Sequence, residues 1–166
     1  MIRSALLALV VSMLAGCGFQ LRGAYNLPYE SLYLGVGDAS VIGAGLKRAI
    51  RASGGTRIVD TPKDAQASFI PTGEVREPVI LSLSGSGRVR EKRLRFRYGY
   101  RVVDKQGRDL VLPAVIELNR DLTYADSDVL AKTQEEELLW RDMESDLVQQ
   151  LMRRLATAKP KPPEVE

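Results

Sequence analysis

The sequence predicts an α+β fold, in which a mainly antiparallel sheet of about four strands has two helices packed on one face. Residues 94–103 alternate between apolar and basic side chains with period two, which is typical of a half-buried antiparallel strand. Two other segments, one on each side of the strands, repeat apolar residues at helical spacing. The resulting order of strand, helix, several strands and helix is that of a layered α+β domain.

The first predicted helix covers residues 41–52 and is capped by Asp38 or Ser40. The Gly54-Gly55 pair ends it, because glycine adopts the left-handed backbone that commonly follows a last helical turn. Its apolar stripe consists of Ile42, Leu46, Ala49 and Ile50. Short strands are predicted around this helix at residues 31–36, 56–59 and 67–73.

The strand at residues 94–103 has one apolar and one basic face. The apolar face consists of Leu94, Phe96, Tyr98, Tyr100 and Val102. The basic face contains Arg93, Arg95, Arg97 and Arg101. A turn at residues 104–107 leads into a partner strand at residues 110–122. Pro113 cannot donate a ladder hydrogen bond, so we expect this partner to lie at an edge or to be bulged near its start.

The last predicted helix is the longest element and runs to about Leu155 from a cap at Asp126, Ser127 or Asp128. Its core stripe consists of Leu139, Met143, Leu147, Leu151 and Leu155, widened by Trp140 and Met152. Residues 158–166 contain three prolines and are predicted to be a disordered tail.

The N-terminus is typical of a bacterial lipoprotein. Arg3 precedes an apolar run that ends in Leu14-Ala15-Gly16-Cys17, which resembles a lipobox. We therefore predict a signal peptide at residues 1–16 and a domain at residues 17–157. Cys17 is then the lipidation site, with an S-diacylglycerol and an N-acyl group. Gly18 replaces the aspartate that often retains such proteins at the inner membrane, which favours the outer membrane.

The composition excludes many enzyme sites. The 166 residues contain no histidine and one cysteine, so imidazole chemistry, an internal disulfide and a cysteine metal cluster are excluded. Three consecutive acids, Glu135, Glu136 and Glu137, splay around a helix and are best interpreted as a solvated N-terminal turn. We predict no catalytic residue, no metal and no cofactor apart from the covalent lipid.

A run of cations suggests an anionic ligand. It comprises Arg88, Arg90, Lys92, Arg93, Arg95, Arg97 and Arg101. Two interpretations are open: a solvated face offset by acids on a neighbouring strand, or an anion-binding surface. A hairpin tip at residues 84–87, preceded by an apolar segment, would suit phosphates and acyl chains. Nucleic acid is not expected, because the aromatic side chains of this strand face the core and cannot stack bases.

Several segments resemble the LPS-assembly lipoprotein family, LptE. These are Cys17-Gly18-Phe19-Gln20-Leu21-Arg22-Gly23, the strand pair around Gly107-Arg108-Asp109, and the C-terminal block with Arg120-Asp121, Tyr124, Leu130-Ala131-Lys132, Glu135-Glu136, Leu139, Asp142-Met143, Asp146, Gln150-Leu151 and Arg153-Arg154-Leu155. The resemblance implies a non-enzymatic outer-membrane lipoprotein that plugs the LptD β-barrel and assists its assembly. It also implies non-covalent binding of lipopolysaccharide (LPS) and a role in its insertion into the outer leaflet.

By position in the family's pattern, the candidate contacts to LPS phosphates are Arg88, Arg90, Arg93 and Lys132, with Arg76 and Lys92 as alternatives. Two other functions compete with this one. A generic periplasmic lipoprotein adaptor would purify alone or with an inner-membrane complex. A hydrolase acting through carboxylates such as Glu117 would lose turnover on a single acid replacement.

Overall fold

The computed structural model describes residues 25–37, 39–124 and 129–158. Its strands are β1 Ser31–Leu34, β2 Arg57–Val59, β3 Ala67–Leu83, β4 Val89–Asp104 and β5 Asp109–Thr123. Its helices are α1 Val41–Ser53, a short 3-10 turn Pro62–Asp64, and α2 Val129–Thr157. The predicted signal peptide, Cys17 and the tail after residue 158 lie outside the described residues, and so do Asp38 and the proposed caps of α2.

The strands form one mixed, five-stranded sheet in the order β2-β1-β3-β4-β5. β1 is parallel to both of its neighbours, while β3, β4 and β5 form an antiparallel meander. The α+β class is confirmed, and the prediction of a mainly antiparallel sheet of about four strands is corrected to five mixed strands. The parallel part arises because α1 connects β1 to β2 as a crossover, which returns the chain to the same end of the sheet.

Helix α1 begins and ends as its sequence predicts. The Ser40 hydroxyl accepts a hydrogen bond from Gly43 N at 3.1 Å, and Gly54 adopts a left-handed conformation with φ of 76°. Ile42, Leu46 and Ile50 are fully buried. The helix therefore packs its predicted stripe into the core.

One core joins both helices to one face of the sheet. The apolar side chains predicted on β4 are all buried, from Leu94 to Val102. They meet the α2 stripe at Met143, Leu147 and Leu151. Phe96 contacts Trp140 edge to face, with ring centroids 6.4 Å apart. The aromatic residues of β4 thus lie in the core, as predicted.

Strands β3 and β4 are longer than predicted and extend beyond this core. β3 continues to Leu83, ten residues past its predicted end, and β4 begins five residues early. Bulges between Pro71 and Gly73 and between Ile80 and Ser82 shift the register. These bulges disrupt the alternation by which a strand is recognised in a sequence.

Strand β5 is an edge strand, as Pro113 predicts. Tyr100 pairs with Ala114 but Val102 pairs with Val111, so β5 has an extra residue beside this proline. Helix α2 runs antiparallel to β5, because Asp146 pairs with Arg120 near one end and Arg154 reaches Val115 nearer the other. No helix in the described part of the chain is long and apolar enough to cross a membrane.

Candidate functional site

The outer face of the sheet, opposite the helices, has a row of cross-strand ion pairs. Arg93 donates two hydrogen bonds to Asp121, from Nε at 2.7 Å and from Nη2 at 2.8 Å. These bonds lower the pKa of the Asp121 carboxyl and raise that of Arg93. The guanidinium of Arg93 is thus already engaged by an acid on the neighbouring strand.

Two other arginines of this face have acidic neighbours. Arg95 lies 3.3 Å from Glu77 on β3 and 3.8 Å from Glu117 on β5. Arg101 lies 3.8 Å from Asp109. For most of this face the geometry favours a solvated surface over an anion-binding one, because acids on both neighbouring strands offset the arginines.

The hairpin between β3 and β4 closes through a three-residue loop with a left-handed glycine. Gly87, with φ of 77°, donates from its N–H to Ser84 O at 2.9 Å, and Ser84 N donates to Arg88 O at 2.7 Å. The second hairpin repeats this pattern at Gly107. Arg88 follows the loop directly and is exposed.

Aliphatic side chains are exposed next to this loop. Ile80 is 56% exposed, Leu81 43% and Leu83 55%. They belong to the part of β3 that extends beyond the core. We call this region, residues 80–92 together with Tyr124 and the first described turns of α2, the tip end of the molecule.

On the helix side of the tip end, a cluster joins β4 to α2. Lys92 Nζ donates to Glu136 Oε2 at 2.7 Å, and Tyr124 Oη donates to the same oxygen at 3.1 Å. The ammonium also lies 5.2 Å from the Tyr124 ring centroid. Partial burial opposes the Glu136 charge, but the bonds from Lys92 and Tyr124 outweigh it and lower the pKa of Glu136.

Arg90 and Lys132 both lie beyond this cluster, toward the loop. Arg90 is two residues from Lys92, and its carbonyl accepts from Tyr124 N at 2.8 Å. Lys132 precedes Glu136 by one helical turn and pairs with Glu135 at 2.7 Å. The structure therefore brings two of the four candidate contacts, Arg90 and Lys132, to one side of the tip end, and it leaves Arg93 on the opposite face.

The structure corrects the prediction for Glu136. The sequence predicts a solvated turn at Glu135, Glu136 and Glu137, yet Glu136 accepts a hydrogen bond from Lys92 on the sheet and is only 23% exposed. The helical spacing in the sequence indicates this position of Glu136. It is three residues before Leu139 and four before Trp140, so it extends the core stripe of α2. Among the described residues no group of three or more metal-binding side chains is present.

Comparisons with known proteins agree on one family. The family described as LptE, lipopolysaccharide-assembly, matches residues 29–155. LPS-assembly lipoproteins LptE from Yersinia pestis and Yersinia pseudotuberculosis are each 32% identical over 162 residues, which cover 94% of this chain and 76% of each relative.

Solved structures show the same fold. The solution structure of an uncharacterized lipoprotein B from Nitrosomonas europaea matches with a TM-score of 0.71 and 38% sequence identity. The match covers 84% of this chain and 90% of the Nitrosomonas chain. The crystal structure of rare lipoprotein B from Shewanella oneidensis matches with a TM-score of 0.66 and 25% sequence identity. This match covers 76% of this chain and 94% of the Shewanella chain.

The fold and the comparisons place this chain in the class of small α+β proteins that includes the lipopolysaccharide-assembly lipoproteins. The chain belongs to the LptE family of lipopolysaccharide-assembly lipoproteins. Its role in LPS transport follows from this membership.

Proposed function

We propose that this protein plugs the lumen of the LptD β-barrel in the outer membrane and assists its assembly. Family membership supports this role. The lumen of an outer-membrane barrel is polar, and a plug must therefore present polar groups to the wall. The outer sheet face suits such a wall, because its arginines are largely balanced by acids at fixed cross-strand positions.

We further propose that the tip end binds LPS non-covalently. The observation that supports this most directly is the register of the hairpin: the segment of β3 that carries the exposed Ile80, Leu81 and Leu83 pairs with the part of β4 that contains Arg90. Lys132 lies in the first described turns of α2 at the same end. Acyl chains would contact the aliphatic part, and arginine would donate paired hydrogen bonds to phosphate oxygens. No bond of the lipid is made or broken.

The proposed membrane attachment rests on the lipid anchor at Cys17, and the outer membrane is favoured because glycine, not aspartate, follows this cysteine. Each buried methylene of an acyl chain contributes about 0.8 kcal/mol, so several chains hold a protein stably at a membrane. Replacing Cys17 with alanine is expected to release the protein from the membrane fraction. An unchanged fractionation would contradict the anchor.

The plug role is tested by co-purification. The full chain with a C-terminal tag is extracted from membranes in mild detergent, and the proteins that accompany it are identified. We expect an intact large barrel among them. Recovery of the protein alone, or with an inner-membrane complex, would support the adaptor alternative and overturn the plug.

The lipid-binding role is tested by a matched pair of charge reversals. Arg88→Glu with Arg90→Glu changes the tip end, whereas Lys105→Glu with Arg108→Glu makes the same change in net charge in the second hairpin. We expect the first pair to weaken binding of purified protein to LPS and the second to leave it unchanged. Equal binding by all three proteins would refute the tip-end site and leave the plug role standing.

A further inference from the structure

A hollow of about 200 Å³ lies on the outer face of the sheet, away from the tip end. Its floor is the backbone of Gly73 and Gly99, which are paired across β3 and β4. Val75 and Val115, which are 41% and 60% exposed, stand at its sides. Arg97 lines the same hollow. The surface thus combines a flat apolar floor with one cation.

The packing of the chain does not require the glycine at position 73. A Cβ atom built there would meet nothing within 4 Å, and the φ of Gly73 is outside the left-handed region. Glycine weakens a strand interior, and it often marks a bulge or a place where a ligand or another backbone approaches closely. Gly99 differs, because a Cβ atom at this position would clash with Thr72 Oγ1. Gly73 borders the bulge after Pro71, but neither its φ nor the space around it excludes a side chain, and the lack of one keeps the hollow open.

Arg97 differs from the other outer-face arginines of β4. Arg93, Arg95 and Arg101 each have a carboxylate within 4.0 Å. Within the described part of the chain Arg97 forms no such pair. Its cross-strand neighbour Glu117 lies instead beside Arg95 and accepts from Asn119 Nδ2 at 3.2 Å. Among the described residues, Arg97 consequently has no carboxylate within 4.0 Å, and it lies beside an apolar floor.

We propose that this hollow is a docking surface for a protein segment that lays an aromatic side chain on the Gly73–Gly99 floor and brings a carboxylate to Arg97. The inference rests on the plug function proposed above, and the segment then belongs to the inner wall of the barrel. Aromatic rings cover glycine positions in sheets well and are enriched at the centres of interfaces. A carboxylate would complete the row of ion pairs on this face.

A lipid phosphate fits the hollow less well than a protein side chain. Its volume is below the roughly 300–1,000 Å³ of pockets that enclose small ligands, so it has room for one side chain and not for acyl chains. A carboxylate has a single charge and matches the one cation available.

The test uses the tagged full chain with Gly73→Val, which fills the hollow, and with Arg97→Glu, which reverses its charge. Gln149→Val and Arg153→Glu on the exposed side of α2 are the matched controls. Thermal melting checks the fold, and Gly73→Val should melt at or above the wild-type temperature. We expect barrel recovery to fall by about tenfold or more for the two hollow variants, as when one desolvated charge pair is lost, and to stay normal for the controls.

Each other outcome overturns the inference in a recognisable way. Wild-type recovery with both hollow variants would refute the docking surface while the plug function stands. An equal loss with the control variants would show a non-specific effect of surface change. Loss of LPS binding with normal barrel recovery would assign the hollow to lipid phosphate. Absence of the barrel from the wild-type preparation would refute the plug function itself, and the docking surface with it.

Discussion

Lys92 on β4 and Glu136 on α2 form a contact between the sheet and helix layers at the tip end, with 2.7 Å between Nζ and Oε2. The two side chains are only 20% and 23% exposed. Burial opposes both charges, yet the bond between them outweighs it: the pKa of Lys92 is raised and that of Glu136 is lowered. This ion pair fixes α2 against β4 next to the proposed lipid site.

The Lys92–Glu136 pair should make stability depend on pH at both extremes. Because the pKa of Glu136 is lowered in the folded state, its contribution is present above its ordinary value of 4.5 and is lost as the pH falls through the folded pKa. The pKa of Lys92 is raised, so its contribution is present below 10.5 and is lost as the pH rises through the folded pKa. Glu136→Gln should therefore cost about 1 kcal/mol near neutral pH, and this cost should disappear in acid.

Urea unfolding of wild type and Glu136→Gln at neutral and acidic pH measures this difference. Glu137→Gln is the control, because Glu137 is 66% exposed and lies 3.8 Å from Arg141. A constant difference between Glu136→Gln and wild type at every pH would show that the ion pair does not contribute.

The loop between β4 and β5 requires a left-handed residue at position 107. Gly107 has φ of 81°, and the Asp104 carboxylate accepts from Gln106 N and Arg108 N, each at 2.9 Å. Gly107→Ala should reduce the free energy of unfolding by about 1 kcal/mol, since an L side chain strains this conformation. Gly107→Asn should cost less, because asparagine tolerates it better. Chemical denaturation of the two variants checks the order, and equal costs would exclude backbone conformation as the cause.

The elements that could be predicted from the sequence are those with one face against the core. β4 alternates with period two because Phe96 and Tyr98 pack under α2 while Arg95 and Arg97 remain on the outer face. Both helices were predicted for the same reason, from one apolar stripe each. The end of β3 could not be predicted in this way, because it extends beyond the core and its bulges break the period.

The site could be predicted only in part, because it depends on register between distant segments. Arg93 pairs with Asp121, 28 positions away, and only the alignment of β4 with β5 brings them together. The parallel pairing of β1 with β3 likewise depends on how the chain crosses between strands. Such pairings between distant strands produce no local periodicity in the sequence. Basic residues could therefore be recognised from the sequence, but not which of them are already paired.

The two helices approach closely at Gly45. A Cβ atom at this position would lie 2.8 Å from Val148 Cγ2, and valine has little rotamer freedom in a helix. Gly45→Ala should therefore destabilise the protein by about 1 kcal/mol, because overpacking exceeds the gain in helix propensity. In a Val148→Ala background the same change should stabilise it. Urea denaturation of the four proteins in this cycle measures the coupling, and additive effects would contradict a direct contact.

Arg90 and Arg93 should contribute differently to LPS binding, although they are three residues apart. Both oxygens of Asp121 already accept hydrogen bonds from Arg93, on the outer face of the sheet. Arg90 lies beside Lys92 and Tyr124 at the tip end. Arg90→Gln should therefore weaken LPS binding by about tenfold, the value of one charge-assisted hydrogen bond. Arg93→Gln should change the affinity by about twofold at most, as expected for a screened charge at a distance.

Titration of both variants with LPS at low and high salt separates the two residues. The loss caused by Arg90→Gln should shrink as salt rises, because screening weakens the same contact in the wild-type protein. A loss caused by Arg93→Gln that equals or exceeds that of Arg90→Gln would move the lipid site to the outer face. The ion pair between Arg93 and Asp121 would then have to open when LPS binds, and Asp121→Asn should strengthen binding.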